Sequence, residues 1–174
     1  MSLHFIARQR VLDGVSASLQ EIIAKYAAQR PAVGRLLHRV AWNDIVREAA
    51  AEAVHQLAEE LRCATAATFS RPHDFWSGEW HPPVGDVIGV LTLSGDRQLG
   101  IVQRENGTMQ LHGVAPKDHA GDLTEMEDRL REAYRVAFVR RAMRILGAYL
   151  RGTSTEEQAS DGSVRFTVKV GGGV

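Results

Sequence analysis

The sequence predicts an α+β domain: an antiparallel sheet of about four or five strands with helices packed on one face, in two layers. Three observations carry that reading. Residues 122–151 repeat apolar side chains at helical spacing, three short apolar runs across 86–114 are separated by turn residues, and residues 163–170 alternate strictly between apolar and polar. The expected order is a short strand, two or three helices, a three-stranded meander, a long helix and a final strand that joins the meander sheet. The 174 residues make one domain by length.

The long helix rests on Leu123, Met126, Leu130, Tyr134, Ala137, Phe138, Ala142, Ile145 and Tyr149, joined later by Val136, Val139, Met143, Leu146 and Leu150. Its first half is amphipathic, and its second half is apolar nearly all round. Asp122 is placed as the N-cap, with Glu125, Glu127 and Asp128 at the positive end of the helix dipole. Arg140, Arg141, Arg144 and Arg151 lie toward the negative end, and Gly152 is a natural stop.

In chain order, Phe5 and Ile6 open a short β-leaning stretch, and Asp13 suggests a helix N-cap before a face of Val15, Leu19, Ile22, Ile23 and Tyr26. Arg30-Pro31 interrupts it, because proline pushes the preceding residue out of the α region. A helical turn or two over 33–40 leads to a longer helix capped by Asn43 or Asp44, with Val46, Ala50, Ala53, Leu57 and Leu61 facing inward. This helical part covers 13–63. Residues 69–84 form an aromatic loop braked by Pro72, Pro82 and Pro83. The meander, 86–114, begins with a strand apolar on both faces, turns at Ser94-Gly95-Asp96, and turns again at Asn106-Gly107, which reads as a type I′ hairpin. Residues 116–121 lead to the long helix. Residues 153–160 read as a polar loop before the Asp161-Gly162 turn and the last strand, whose inner face is Val164, Phe166, Val168 and Val170.

With 21 basic and 21 acidic side chains the formal charge is zero, so nothing global points to nucleic acid or an anionic membrane. No apolar run approaches membrane-spanning length, and the N-terminus lacks a secretory pattern. The lone Cys63 cannot build an intrachain disulfide framework, so a reducing cytoplasm is the expected compartment. Gly171-Gly172-Gly173 precedes no helix and is not a phosphate loop, and no cofactor is expected.

Leu130, Ala133-Tyr134, Gly147 and Asp161-Gly162-Ser163-Val164 form a pattern with Asn106-Gly107-Thr108-Met109-Gln110-Leu111 and with Met1-Ser2 and His4-Phe5. That pattern resembles a small uncharacterised family of cyanobacteria that is also a hypothetical chloroplast reading frame in algae. The likeness covers the last two-fifths of the chain and its first few residues, and Leu3 and the segment 29–83 are additions. It consists of turn and core residues, so it implies a fold. Because the family's genes tend to lie beside ATPases of the AAA+ class, it also implies an accessory or partner role.

Four groups of side chains are candidates for chemistry or binding. His73, His81 and Cys63, with Asp74 and Glu79, are metal-ligating types in a proline-braced loop, set against a solvated loop with a buried thiol. Phe75, Trp76 and Trp80, with Phe69, would offer a partner surface, unless they fold back and cap the core, which we favour. Arg140, Arg141 and Arg144 could hold an anion, although their place at a helix C-terminus favours dipole complementation and salt bridges. His112 and His119 could do acid–base work, but no nucleophile is recognisable beside them.

The leading expectation is a non-enzymatic accessory protein acting through a protein partner, an AAA+ ATPase or a second copy of itself. The alternatives are a small metal-dependent enzyme built on His73 and His81, and a nucleic-acid binder using the arginine-rich helix.

Overall fold

The computed structural model describes residues 5–12, 21, 24–25, 28–31, 34–35, 38–70, 83–149 and 151–170. The α+β class holds: a five-stranded antiparallel sheet, a two-stranded sheet and two long helices are the main elements. The strands are β1 (Phe5–Val11), β2 (Ala64–Ala66), β3 (Asp86–Leu93), β4 (Arg97–Gln103), β5 (Met109–Pro116), β6 (Gly152–Gln158) and β7 (Val164–Val170). The helices are α1 (Trp42–Leu61) and α2 (Leu123–Tyr149), the latter preceded by a 3-10 turn, Lys117–Asp122. Most of the helices expected over 15–40 fall outside the described residues.

The chain divides into two compact units, the first of residues 1–13 and 50–134, the second of residues 14–49 and 135–174. The first unit holds the five-stranded sheet in the order β1-β5-β4-β3-β2, with every neighbouring pair antiparallel. Direct pairing puts Gly89, Leu91, Leu99, Ile101, Leu111, Gly113 and Ala115 on one face. That face receives both helices. Val54 of α1 lies over Gly89, where an added Cβ would be 3.2 Å from its Cγ1, and Leu123 of α2 lies over Gly113. The glycines allow the helices to approach the sheet backbone closely. The opposite face carries Val90, Val102, Val114 and Phe69, a smaller apolar cluster.

One of the expected turns differs in detail, and a second is formed in the same way. Asn106-Gly107 closes a three-residue loop: Arg104 N–H donates to Thr108 O (2.9 Å), Gly107 N–H donates to Arg104 O (2.8 Å), and Asn106 Oδ1 accepts from Thr108 N–H (3.0 Å). Gly107 (φ 81°) takes the left-handed position and Asn106 does not, so the turn is the type I plus glycine form and not type I′. Asp161-Gly162 repeats the device, with Ala159 and Ser163 as the closing pair and Asp161 Oδ1 accepting from Ser163 N–H (2.9 Å).

In the second unit that turn joins two strands. The expected loop at 153–160 is β6, and the last strand pairs with it rather than joining the meander sheet. The misreading has a physical cause. Gly-Thr-Ser-Thr-Glu-Glu-Gln is polar throughout and mostly exposed, so it shows none of the apolar alternation that marks a half-buried strand. Gly152 is not the helix stop either. Arg151 (φ 49°) takes the left-handed position after α2, while Gly152 begins β6, where an added Cβ would be 2.5 Å from Lys169 O of the partner strand.

Helix α1 ends in the same way. Arg62 (φ 51°) is left-handed, Cys63 N–H donates to Ala58 O (3.0 Å) and Arg62 N–H donates to Glu59 O (3.2 Å), which satisfies carbonyls that the helix leaves open. Its start lies slightly earlier than expected, at Trp42, with Asp44 in the first turn.

Candidate functional site

In the first unit, the end of α1, the β3–β4 turn and the start of α2 enclose a cleft of about 1150 Å³. Its walls include Leu61, Cys63, Leu93, Arg97, Asp122, Glu125, Met126 and Asp128. Arg97 is fixed by its own turn, donating to Ser94 O (2.8 Å) and Ser94 Oγ (3.0 Å), and it lies 3.7 Å from Asp122. Asp122 also meets His119 Nδ1 at 3.2 Å, a His–carboxylate pair more than half exposed on both sides. Cys63 is half-buried, and burial pushes its thiol up, which favours the protonated form near neutral pH.

The sheet face away from the helices is built differently. Phe69 lies over Gly100, where an added Cβ would be 2.9 Å from Phe69 Cζ, and its ring meets the His112 ring edge-on at 4.8 Å. Ser70 N–H donates to Gln98 Oε1 (2.9 Å), holding the segment to β4. His112 is 2% exposed, and its Nε2 has no hydrogen-bond partner among the described residues. Burial pushes its pKa below the usual histidine range, so the ring is neutral.

In the second unit the first turns of α1 and the last turns of α2 frame a hollow of about 470 Å³. Val40, Ala41, Ile45, Ile145, Ala148 and Tyr149 line it, together with the carboxylates of Asp44 and Glu48. Tyr149 is 46% exposed, which is high for a large aromatic at the end of an apolar stripe.

The arginines singled out from sequence are engaged by carboxylates. Arg140 makes a two-pronged contact with Glu156, and Arg141 pairs with Glu48. Arg144 lies near enough to Glu156 to help hold its carboxyl below the usual range, after the Arg140 hydrogen bond and charge. Salt bridging, not an open anion face, describes Arg140 and Arg141. His73, His81, Phe75, Trp76 and Trp80 lie outside the described residues. Phe69, the first aromatic of that loop, folds back onto the sheet. Among the described residues no three His, Cys, Asp or Glu side chains gather closely enough to hold a metal ion, and no helix is long and apolar enough to cross a membrane.

Sequence reasoning missed the hollow. Its two walls come from segments about a hundred residues apart, and the only local signal was an α2 stripe that stays apolar up to its last turn. It also read His112 as one of two flanking histidines. The alternation of β5 could have marked it as facing the sheet side that holds Val114. Comparison with family models, with curated proteins and with solved structures finds no match to this chain.

Proposed function

We propose that the chain is a non-enzymatic interaction protein, an accessory subunit that takes a protein partner in the hollow of its second unit. One observation supports this reading most directly: an apolar recess ending in the half-exposed Tyr149, with Asp44 at its edge and Glu48 already paired with Arg141. Such a recess fits one or two apolar side chains offered beside a lysine or arginine, the arrangement in which a buried anchor supplies affinity and the flanking charge supplies orientation. The family resemblance adds an AAA+ ATPase as the class of partner to look for.

The test is an affinity pull-down of the tagged protein from its native lysate, comparing wild type with Tyr149→Ala and Asp44→Lys, both judged folded by circular dichroism. A stoichiometric partner retained by wild type and lost from both variants supports the reading. Retention unchanged in both variants, or no stoichiometric partner at all, overturns it.

A further inference from the structure

The sheet face opposite the helices combines three features that rarely occur together. Its histidine is buried, that histidine leaves a ring nitrogen without a partner, and Phe69 and Ser70 lie against the face through a ring contact and one amide hydrogen bond. We propose that Phe69 and Ser70 form a pH-sensitive latch on this face, released when His112 takes up a proton.

The geometry carries the argument. Neutral His112 is tolerated because its ring packs edge-on against Phe69, 4.8 Å between centroids, and is almost fully buried. Protonation would place a full charge there, with no countercharge facing it among the described residues. On the flanking strands Gly100 of β4 and Gln9 of β1 stand directly opposite His112, and Gln110 and Val114 follow on β5. Gln98 of β4 lies beside Gly100 on the same face and is taken up by Ser70. Every described side chain facing the imidazole from these strands and from the 69–70 segment is uncharged, so none of them stabilises an imidazolium. Burying an unpaired charge is far more costly than one edge-on ring contact and one amide–carbonyl hydrogen bond. The charged ring is therefore accommodated by lifting the segment and admitting water.

The direction follows from linkage. With the latch closed His112 binds its proton less readily than the usual value of 6.5, and with it open the ring is near that value. Below that pH the open form binds more protons, so acid favours it. Each pH unit between the two values multiplies the open-to-closed ratio by up to about ten. Release exposes Val90, Val102 and Val114, which gives the protein a second apolar surface only in mild acid.

The experiment is amide hydrogen exchange by NMR on the full chain from pH 7.5 to 5, corrected for intrinsic exchange, read at Ser70 and at Ile101. The expected result is a Ser70 protection factor that falls by up to about tenfold per pH unit while Ile101 stays protected. His112→Gln should remove the pH dependence. In wild type the His112 ring resonances should titrate below the usual histidine value, at the acid end of the range in which Ser70 protection falls, a readout that does not depend on the variant folding. Constant Ser70 protection, an equal fall in His112→Gln, or a ring that titrates at or above the usual histidine value would each overturn the latch.

Discussion

Arg140 holds Glu156 with both prongs of its guanidinium, Nε to Oε2 and Nη2 to Oε1, each at 2.8 Å. The pair ties the second half of α2 to β6, a strand with almost no apolar contact of its own. Planar two-pronged geometry belongs to arginine, so Arg140→Lys keeps the charge and loses the fit. Because Glu156 is 38% exposed, solvent screens the pair, and the expected loss is only roughly 0.5 kcal/mol in urea unfolding at pH 7. The Arg140 hydrogen bond holds the Glu156 carboxyl below its ordinary 4.5. Its contribution is thus complete above that pH and disappears as pH falls through the lower folded value. Glu156→Gln should therefore differ from wild type at pH 7 and converge with it near the acid end. A constant difference across the range would exclude the assignment.

Gly100 is a packing requirement. A Cβ there would meet Gly89 O at 2.5 Å, Phe69 Cζ at 2.9 Å and Val90 Cγ2 at 3.1 Å. Phe69 can shift but the carbonyl of the neighbouring strand cannot, so Gly100→Ala should cost about 1–3 kcal/mol by overpacking. Gly121 offers the control, since an added Cβ there meets nothing within 4 Å, and Gly121→Ala should stay within about 0.5 kcal/mol of wild type. Equal urea midpoints for the two variants would refute the close approach.

What could be read from the sequence follows the same division between local and non-local causes. The α2 period, its start at Leu123 and the three meander strands are encoded in neighbouring residues, and they appear where expected. Strand β6 was hidden because an exposed strand needs no apolar face, and β2, only three residues long, exists because the edge of β3 offers it hydrogen bonds. The sites were less legible still. That Phe69 meets His112, or that Tyr149 shares a hollow with Val40, depends on segments that only the fold brings together. The arginine cluster was visible, but the carboxylates Glu48 and Glu156 that occupy Arg141 and Arg140 were not.

Two ion pairs of the first unit should differ sharply in worth. Arg10 reaches Glu127 at 3.3 Å and Asp128 at 3.4 Å, and Glu127 is buried with its side chain 2% exposed. Arg129 meets Glu60 at the same 3.3 Å, but both side chains are well exposed. Removing a partner of a buried carboxylate leaves that charge less compensated, whereas an exposed pair is replaced by water. Arg10→Ala should cost about 1–3 kcal/mol, and Arg129→Ala less than about 1 kcal/mol. Thermal unfolding of both variants in low and high salt checks this, with the Arg129 effect the more salt-sensitive. Costs in the opposite order would mean that Glu127 is stabilised by its other contacts.

The boundary between α2 and β6 permits a test of which residue needs which backbone freedom. Arg151 carries the left-handed conformation, so Arg151→Gly relieves strain in the folded state but adds freedom to the unfolded chain, and the two effects nearly cancel. Stability should then change by no more than about 1 kcal/mol. Gly152 is held instead by its neighbour strand, because a Cβ would sit 2.5 Å from Lys169 O and 3.1 Å from Lys169 C. Gly152→Ala must push β7 away at its last pairs, Gly152 with Val170 and Thr153 with Lys169. Hydrogen exchange should therefore speed up in β6 and β7 while the five-stranded sheet keeps its protection. The Asp161-Gly162 turn at the far end, closed by its own hydrogen bonds, should remain formed. If Gly152→Ala leaves the hairpin amides unchanged and Arg151→Gly disturbs them, then the helix stop and the strand start have been assigned to the wrong residues.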